Sequence, residues 1–294
     1  MSQKLIEVVK PGMLTTVQDV GRYRHLKDGI VAAGVMDRYA YEMANRLVGN
    51  KGGEAVLECT LVGPRLRFLH NATISLCGAD LSPQLDGESV RTWWAIPVKK
   101  GQTLSFGEAR DGMRTYLAVR GGIDVPLVLG SRSTYLKGGL GGFKGRALQK
   151  GDILSCYGGE SDSEPLRSRG LNKAYIPNYM SGKPFQVILG PDEHRFSEKG
   201  IETFLLGQYK ITQESDRMGC RLQGEQICHK DGADILSDAV TFGTIQVPGD
   251  GQPIVLLADR QTTGGYARIG HIVSDDLPRF VQQKPGTIIR FVLK

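Results

Sequence analysis

Apolar residues fall in short runs of four to seven positions, at 72–77, 103–106, 115–119, Phe185–Leu189, 254–258 and 287–293. The runs are rich in Val, Ile, Leu and Thr and are bounded by Gly, Pro, Asp and Asn. Such a pattern predicts many short strands joined by frequent turns, and hence a barrel or sandwich. Helical periodicity is rare. Met36, Ala40, Met43 and Leu47 lie on one stripe of a 3.6-residue repeat, which predicts a helix over 36–50 with Asp37 capping its start and Gly49 its end. A second helix is predicted between Asp192 and Leu206, interrupted at Gly200. A third follows Asp276, with Pro278 in its first turn and Pro285 ending it. The fold class is mainly β with a few short helices.

A polar stretch over 158–184, with few apolar positions, marks the best domain boundary. It gives an N-terminal domain over 1–160, a linker over 161–184 and a C-terminal domain over 185–294. The halves echo each other. Asp19-Val20-Gly21-Arg22 is matched by Asp216-Arg217-Met218-Gly219-Cys220-Arg221, and Gly130-Ser131-Arg132-Ser133-Thr134 by Asp259-Arg260-Gln261-Thr262-Thr263. The matches are short, and they raise the idea of an ancient duplication.

Composition narrows the picture. Hydrophobic residues make up 40% of 294 and charged residues 23%, enough for a packed core and too apolar for a disordered chain. No run approaches the length needed for a membrane-spanning helix, and the N-terminus has no apolar signal core, so a cytoplasmic location is expected. Five cysteines, with no Cys-x-x-Cys, argue against a disulfide framework or a zinc site. The net charge of +6 comes from scattered residues rather than a basic block. A nucleic-acid partner is therefore not expected, whereas a basic cleft for a small carboxylate fits.

Several chemical motifs are absent. There is no phosphate-binding Gly-x-x-x-x-Gly-Lys loop, no His-Glu-x-x-His and no Gly-x-Ser-x-Gly. The five histidines are scattered and form no ordered set. Polar, glycine-flanked segments remain. Asp19 and Arg22 sit at a turn, where an Asx-type bond accounts for the carboxylate more simply than a pocket does. Arg132, Ser133 and Thr134 set a guanidinium fork among hydroxyls, which suits a carboxylate or phosphate. The glycine run 138–145 lets backbone approach a ligand closely. Asp216, Arg217 and Gln246 are further candidates. The densest group is Asp259, Gln261, Thr262, Thr263, Gly264, Gly265 and Tyr266, read as a polar loop projecting from a buried strand. No catalytic residue is assigned.

These segments also carry a resemblance. TTVQDVGR, MDRYAYEMANRLVGN, GGIDVPLVLGSRSTYLKGGLGGFKGRALQKGD, SDRMGCRL and VPGDGQPIVLLADRQTTGGYARIGHIVSDDLP, in this order, resemble the biotin-dependent carboxyltransferase / KipA / allophanate hydrolase subunit 2 family. The resemblance spans nearly the whole chain. It implies two cyclophilin-like β-barrel domains. It also implies work in a complex that hydrolyses 5-oxo-L-proline to L-glutamate with ATP, the ATP being bound with or by partner subunits. Under that resemblance Arg132 or Arg260 would hold the carboxylate of the substrate or a phosphorylated intermediate. The implied partners are a KipI/PxpB-type subunit and a LamB/YcsF (PxpA)-type subunit. Two alternatives follow from the same family: a carboxyltransferase taking its carboxyl group from carboxybiotin to urea or a similar amide, and a non-enzymatic antagonist of a KipI-type kinase inhibitor. The chain departs from the family pattern after Asp19, where Arg24 to Gly29 lacks the usual small Gly and Gln, and at Ala33, where a Ser is usual.

Overall fold

The computed structural model describes residues 2–157 and 169–294. The part of the expected domain boundary over 158–168 lies outside the described residues. Two compact units emerge: Met1–Arg22 with Ala33–Tyr179, and Tyr23–Ala32 with Met180–Lys294. The mainly-β expectation holds, and the fold includes a nearly closed, barrel-like sheet.

In the first unit a seven-stranded sheet runs in the order Ile123–Asp124, Ile153–Tyr157, Ser2–Lys10, Arg65–Phe68, Thr103–Ser105, Gln84–Leu85, Glu88–Ser89. A five-stranded sheet runs Leu14–Gln18, Val56–Thr60, Asp111–Val119, Ala72–Asp80, Ala95–Val98. The period-two logic of strands explains their burial. Along Arg65–Phe68, Leu66 and Phe68 point inward while Arg65 and Arg67 face solvent. Asp111–Val119 is buried on both faces from Gly112 onward because both are covered. Leu117 and Val119 join the core with Leu57, Leu66 and Leu76, whereas Tyr116 and Ala118 pack with Ala40, Tyr41, Ala44 and Leu47 of the helix Arg38–Leu47. As expected, the Asp37 carboxylate caps this helix, accepting from the Ala40 N–H at 2.9 Å.

The linker over 161–184 needs correction. Arg169 and Leu171 hydrogen-bond through backbone to Ala95 and Trp93. The Tyr179 ring is buried in the helix-facing core, and its hydroxyl donates to Asp37 Oδ2 at 2.8 Å. Residues 169–179 are thus part of the first unit, and the second begins at Met180. Conversely, Tyr23–Ala32, with its 3-10 helix Tyr23–Asp28, belongs to the second unit, which the sequence boundaries do not anticipate.

The second unit holds an eight-stranded sheet in the order Ile288–Ile289, Tyr209–Ile211, Gly219–Gln223, Ile254–Leu256, Thr244–Gln246, Arg268–Ile272, Phe185–Leu189, Phe291–Leu293. Phe185–Leu189 and Phe291–Leu293 pair in parallel. A separate two-stranded ribbon joins Asp234–Ala239 to Thr263–Tyr266. The helix expected across Asp192–Leu206 divides into a 3-10 turn Glu193–Arg195 and a helix Glu198–Leu206. The break is at Ser197, the N-cap, and Gly200 is inside the first turn, donating to the Ser197 hydroxyl at 2.9 Å. The third helix is one turn, Leu277–Phe280, and it ends well before Pro285.

Candidate functional site

The sequence candidates divide between the two units. In the first, the strand Leu14–Gln18 ends at Asp19, whose buried carboxylate becomes a hub. It accepts from the Ser131 hydroxyl at 2.5 Å, the Arg132 N–H at 2.5 Å and the Ser133 hydroxyl at 2.6 Å. It also closes its own turn by accepting from the Gly21 N–H at 2.9 Å. Thr134 donates its hydroxyl to the Val17 carbonyl at 2.9 Å, and Arg22 donates to the carbonyls of Ser133 and Val128. Ser133 and Thr134, expected to face ligand, are therefore fully buried and committed to the fold. The glycine run is committed likewise. A Cβ at Gly142 would sit 1.8 Å from Thr134 Oγ1, so the glycines are there to let the run lie on the Ser-Thr segment.

Arg132 is the member of that group left near solvent. Its Nε donates to the Val125 carbonyl at 3.1 Å, and its guanidinium lies 6.0 Å from the Tyr157 ring centre. Together with Gly52, Gly53, Gly121, Gly122 and Tyr157 it lines a cavity of about 290 Å³. Hydrogen bonds from Ser2 and Tyr157 hold the nearby Asp124 carboxyl below its usual range, with a smaller pull from Arg132.

In the second unit the same two echo segments meet again, with the chemistry reversed. Here the first segment supplies the arginine and the second the acid. Arg217 grips Asp259 with two bonds, Nε to Oδ2 at 3.0 Å and Nη2 to Oδ1 at 2.9 Å, and the Asp259 N–H donates to the Arg217 carbonyl at 2.8 Å. The pair is nearly sealed from solvent, at 7% and 6% side-chain exposure. Asp259 is thus a structural partner rather than a free ligand group. Asp216 is exposed and accepts from the Met218 and Gly219 N–H groups at 2.7 and 3.2 Å, which makes it a turn residue.

The polar loop expected over Asp259–Tyr266 is shorter than predicted, because Thr263–Tyr266 forms the ribbon strand. Composition hides this: two glycines and two threonines read as a loop, yet the segment pairs with Asp234–Ala239. Gly264 is needed for a close approach, since a Cβ there would meet Gln246 Nε2 at 2.5 Å. That buried amide donates to the Tyr266 carbonyl at 3.0 Å, so Gln246 anchors the ribbon. Gln261, Thr263 and Tyr266 are exposed, and Thr262 and Gly265 are half-buried.

Arg260 is the residue whose state the sequence does not foretell. It is only 5% exposed, yet its side chain meets backbone carbonyls alone, Nε to Val240 at 3.2 Å and Nη1 to Leu257 at 3.3 Å. Burial lowers its affinity for a proton, and the Tyr23 phenol acts on it with opposite sign. The family resemblance offers Arg260 as a carboxylate holder, but Tyr23, far away in sequence, gives no signal.

Elsewhere, a ring nitrogen of His229 lies 3.0 Å from the Val247 carbonyl, and the ring packs 4.7 Å from that of Phe196. A cavity of about 400 Å³ in the second unit is lined by Lys183, Phe185, Arg279 and Arg290, among others. Its lining holds none of the ligand-site candidates named from the sequence. No helix of the described residues is long and apolar enough to cross a membrane.

Comparison with known proteins places these features in a family. The carboxyltransferase domain, subdomains A and B, matches residues 28–293. Over 288 residues the chain is 39% identical to the C component of 5-oxoprolinase from Escherichia coli K12, covering 98% of this chain and 91% of that protein. It is 33% identical to the urea amidolyase of Saccharomyces cerevisiae over 302 residues, covering 98% of this chain but 16% of that one. The crystal structure of Kluyveromyces lactis urea carboxylase superimposes with a TM-score of 0.92 at 32% identity, covering all of this chain and 28% of the other. The chain thus spans nearly the whole of the first relative and under a third of the other two. With an almost complete family match and this level of identity, the chain belongs to the carboxyltransferase domain family, subdomains A and B.

Proposed function

We propose that the chain is the C component of an ATP-dependent 5-oxoprolinase complex that hydrolyses 5-oxo-L-proline to L-glutamate. One observation carries this reading: the chain matches a free-standing 5-oxoprolinase component nearly end to end, over 91% of its length. The urea enzymes, in contrast, contain its counterpart as a small part of a far longer chain. The partners are a KipI/PxpB-type subunit and a LamB/YcsF (PxpA)-type subunit.

The substrate is a small lactam bearing one carboxylate, which matches a site built on a fixed guanidinium group. Arg260 in the second unit, or Arg132 in the first, is the residue to orient that carboxylate. The lactam carbonyl is deactivated by amide resonance, and ATP supplies the activation by phosphorylating the amide oxygen. ADP departs and water adds to the ring carbon. The C–N bond then breaks, so that the ring opens as an acyl phosphate and the nitrogen takes a proton. A second water splits that acyl phosphate into L-glutamate and phosphate. ATP is a cosubstrate in this reading, and none of the residues named above is assigned to it.

The test is co-purification with the two partner subunits, followed by an assay of glutamate release. Release that requires 5-oxoproline, ATP and all components supports the reading. A second reading has its own support, the 33% identity to urea amidolyase. It predicts instead that the chain accepts a carboxyl group from a biotinylated carrier and passes it to urea. Carboxyl transfer without glutamate release would establish it in place of the first.

A further inference from the structure

Arg260 poses a problem of charge. A buried guanidinium is stable when a carboxylate or another anion neutralises it. In the same unit Arg217, Arg268 and Arg279 obey this rule, held by Asp259, Asp192 and Asp276 respectively. Arg260 does not. Among the described residues no carboxylate lies within ion-pair distance of it. The acid beside it in sequence, Asp259, has both oxygens taken by Arg217.

The guanidinium is nonetheless held firmly. The Val240 carbonyl accepts its Nε, and the Val240 N–H donates to the Thr262 carbonyl at 3.2 Å, so Val240 straps Arg260 to the root of the ribbon. The Leu257 carbonyl accepts both Nη1 and, at 3.2 Å, the Arg260 N–H. Nη2 makes no hydrogen bond within the described residues, and it is not among the buried atoms lacking one. It therefore keeps some solvent-accessible surface. The anchored group offers its outer edge, the second Nη1 hydrogen and the Nη2 hydrogens, to whatever approaches. The exposed Tyr23 and Gln261 stand by with further polar groups.

We infer that Arg260 is a preformed receptor for a carboxylate, held by two backbone carbonyls so that one planar edge meets the two oxygens of a bound ligand. One uncompensated positive charge calls for one negative charge, and a planar two-donor edge matches a carboxylate side-on. The anchoring explains why this arginine is buried without an acid: its counter-ion arrives with the ligand. That the carboxylate is the one on 5-oxoproline rests on the function proposed above. The receptor itself does not.

The experiment has two arms. In the first, the purified chain is melted in sodium formate and in sodium chloride at equal ionic strength. Formate raises the wild-type melting temperature more than chloride, and Arg260→Gln abolishes that difference. Without formate, Arg260→Gln melts at or above the wild-type temperature, because an unneutralised buried charge has been removed. An undiminished formate effect in Arg260→Gln overturns the inference. Arg260→Lys covers the case in which Arg260→Gln folds poorly. It keeps the charge but lacks the fork, so its formate effect falls, and an unchanged effect again counts against the receptor.

In the second arm the assembled complex is given 5-oxoproline or 2-pyrrolidinone, the same lactam without its carboxylate. Arg260→Gln lowers kcat/KM for 5-oxoproline at least tenfold and leaves the value for 2-pyrrolidinone within twofold. Equal losses on both lactams overturn the carboxylate assignment. If the wild-type complex releases no glutamate at all, the proposed function fails, while the formate arm still decides the receptor.

Discussion

Replacing Asp259 by Ala removes the carboxylate that grips a guanidinium only 7% exposed. Two hydrogen bonds, at 3.0 and 2.9 Å, vanish with it. Arg217 cannot turn to water, because the same packing that shields the pair shields the single charge. Breaking a buried pair in this way costs about 3–5 kcal/mol, well above the ~0–1 kcal/mol of a surface pair. For a unit of this size each kcal/mol corresponds to roughly 4 °C, so the melting transition of the second unit should fall by about 12–20 °C. Calorimetry and urea unfolding followed by circular dichroism both read this. A companion variant sharpens the point. Arg217→Met combined with Asp259→Leu replaces the pair by apolar groups and should recover most of the loss, since such exchanges are often neutral. A loss below about 1 kcal/mol for Asp259→Ala would refute the reasoning, since that is the range of a surface pair. Asp259 would then behave as an exposed carboxylate, available to a ligand after all.

Four further outcomes follow from the packing. Burial pushes the thiols of Cys59 and Cys156 up to about 12, Cys77 is raised well above its ordinary value, and Cys220 is buried, whereas Cys228 is exposed. A thiol reagent at neutral pH should therefore titrate one thiol in the folded chain and five after unfolding. Gly264→Ala should destabilise the ribbon by about 1–3 kcal/mol, as overpacking does, because the added carbon meets Gln246. Gly265→Ala should change stability by less than about 0.5 kcal/mol in unfolding assays, because a Cβ there finds only ordinary contacts, the nearest at 3.7 Å. Hydrogen bonds from Arg146 hold the Asp152 carboxyl below its ordinary value. A depressed carboxyl stabilises the fold above its unfolded pKa of about 3.9 and loses that contribution as pH falls through its folded value. Asp152→Asn should therefore weaken the first unit at neutral pH and flatten its stability profile below about pH 4, as read by urea unfolding at a series of pH values.

Some of this is legible in the chain itself. Phe185–Leu189 is predictable at its observed bounds because Pro184 and Gly190 punctuate a short run that is apolar at four of its five positions. Asp37 is readable as a cap because capping is local, a matter of three residues. The turn reading of Asp19 is sound too, and for the same reason. The echo segments locate both polar hubs, but not their wiring. Asp19 meets Ser131 and Ser133 across 112 and 114 residues, and Arg217 meets Asp259 across 42, distances over which spacing carries no information. The ribbon escapes notice because Thr-Gly-Gly-Tyr lacks an apolar face. Residues 169–179 look like a linker because their anchors, the buried Tyr179 and the partly buried Leu171 and Ile176, follow no helical or strand period. Most telling is Arg260. Its sequence neighbours suggest a charge cluster with Asp259, and only the fold shows that Asp259 is already taken.

The central claim is that this chain is an obligatory part of a 5-oxoprolinase. It is tested most directly by measuring ATP-dependent glutamate release from 5-oxoproline with the two partner subunits, in the presence and absence of the chain. The predicted result is release with all components, and none above background when the chain or ATP is omitted. Full release from the partners alone, or from the isolated chain, would contradict it.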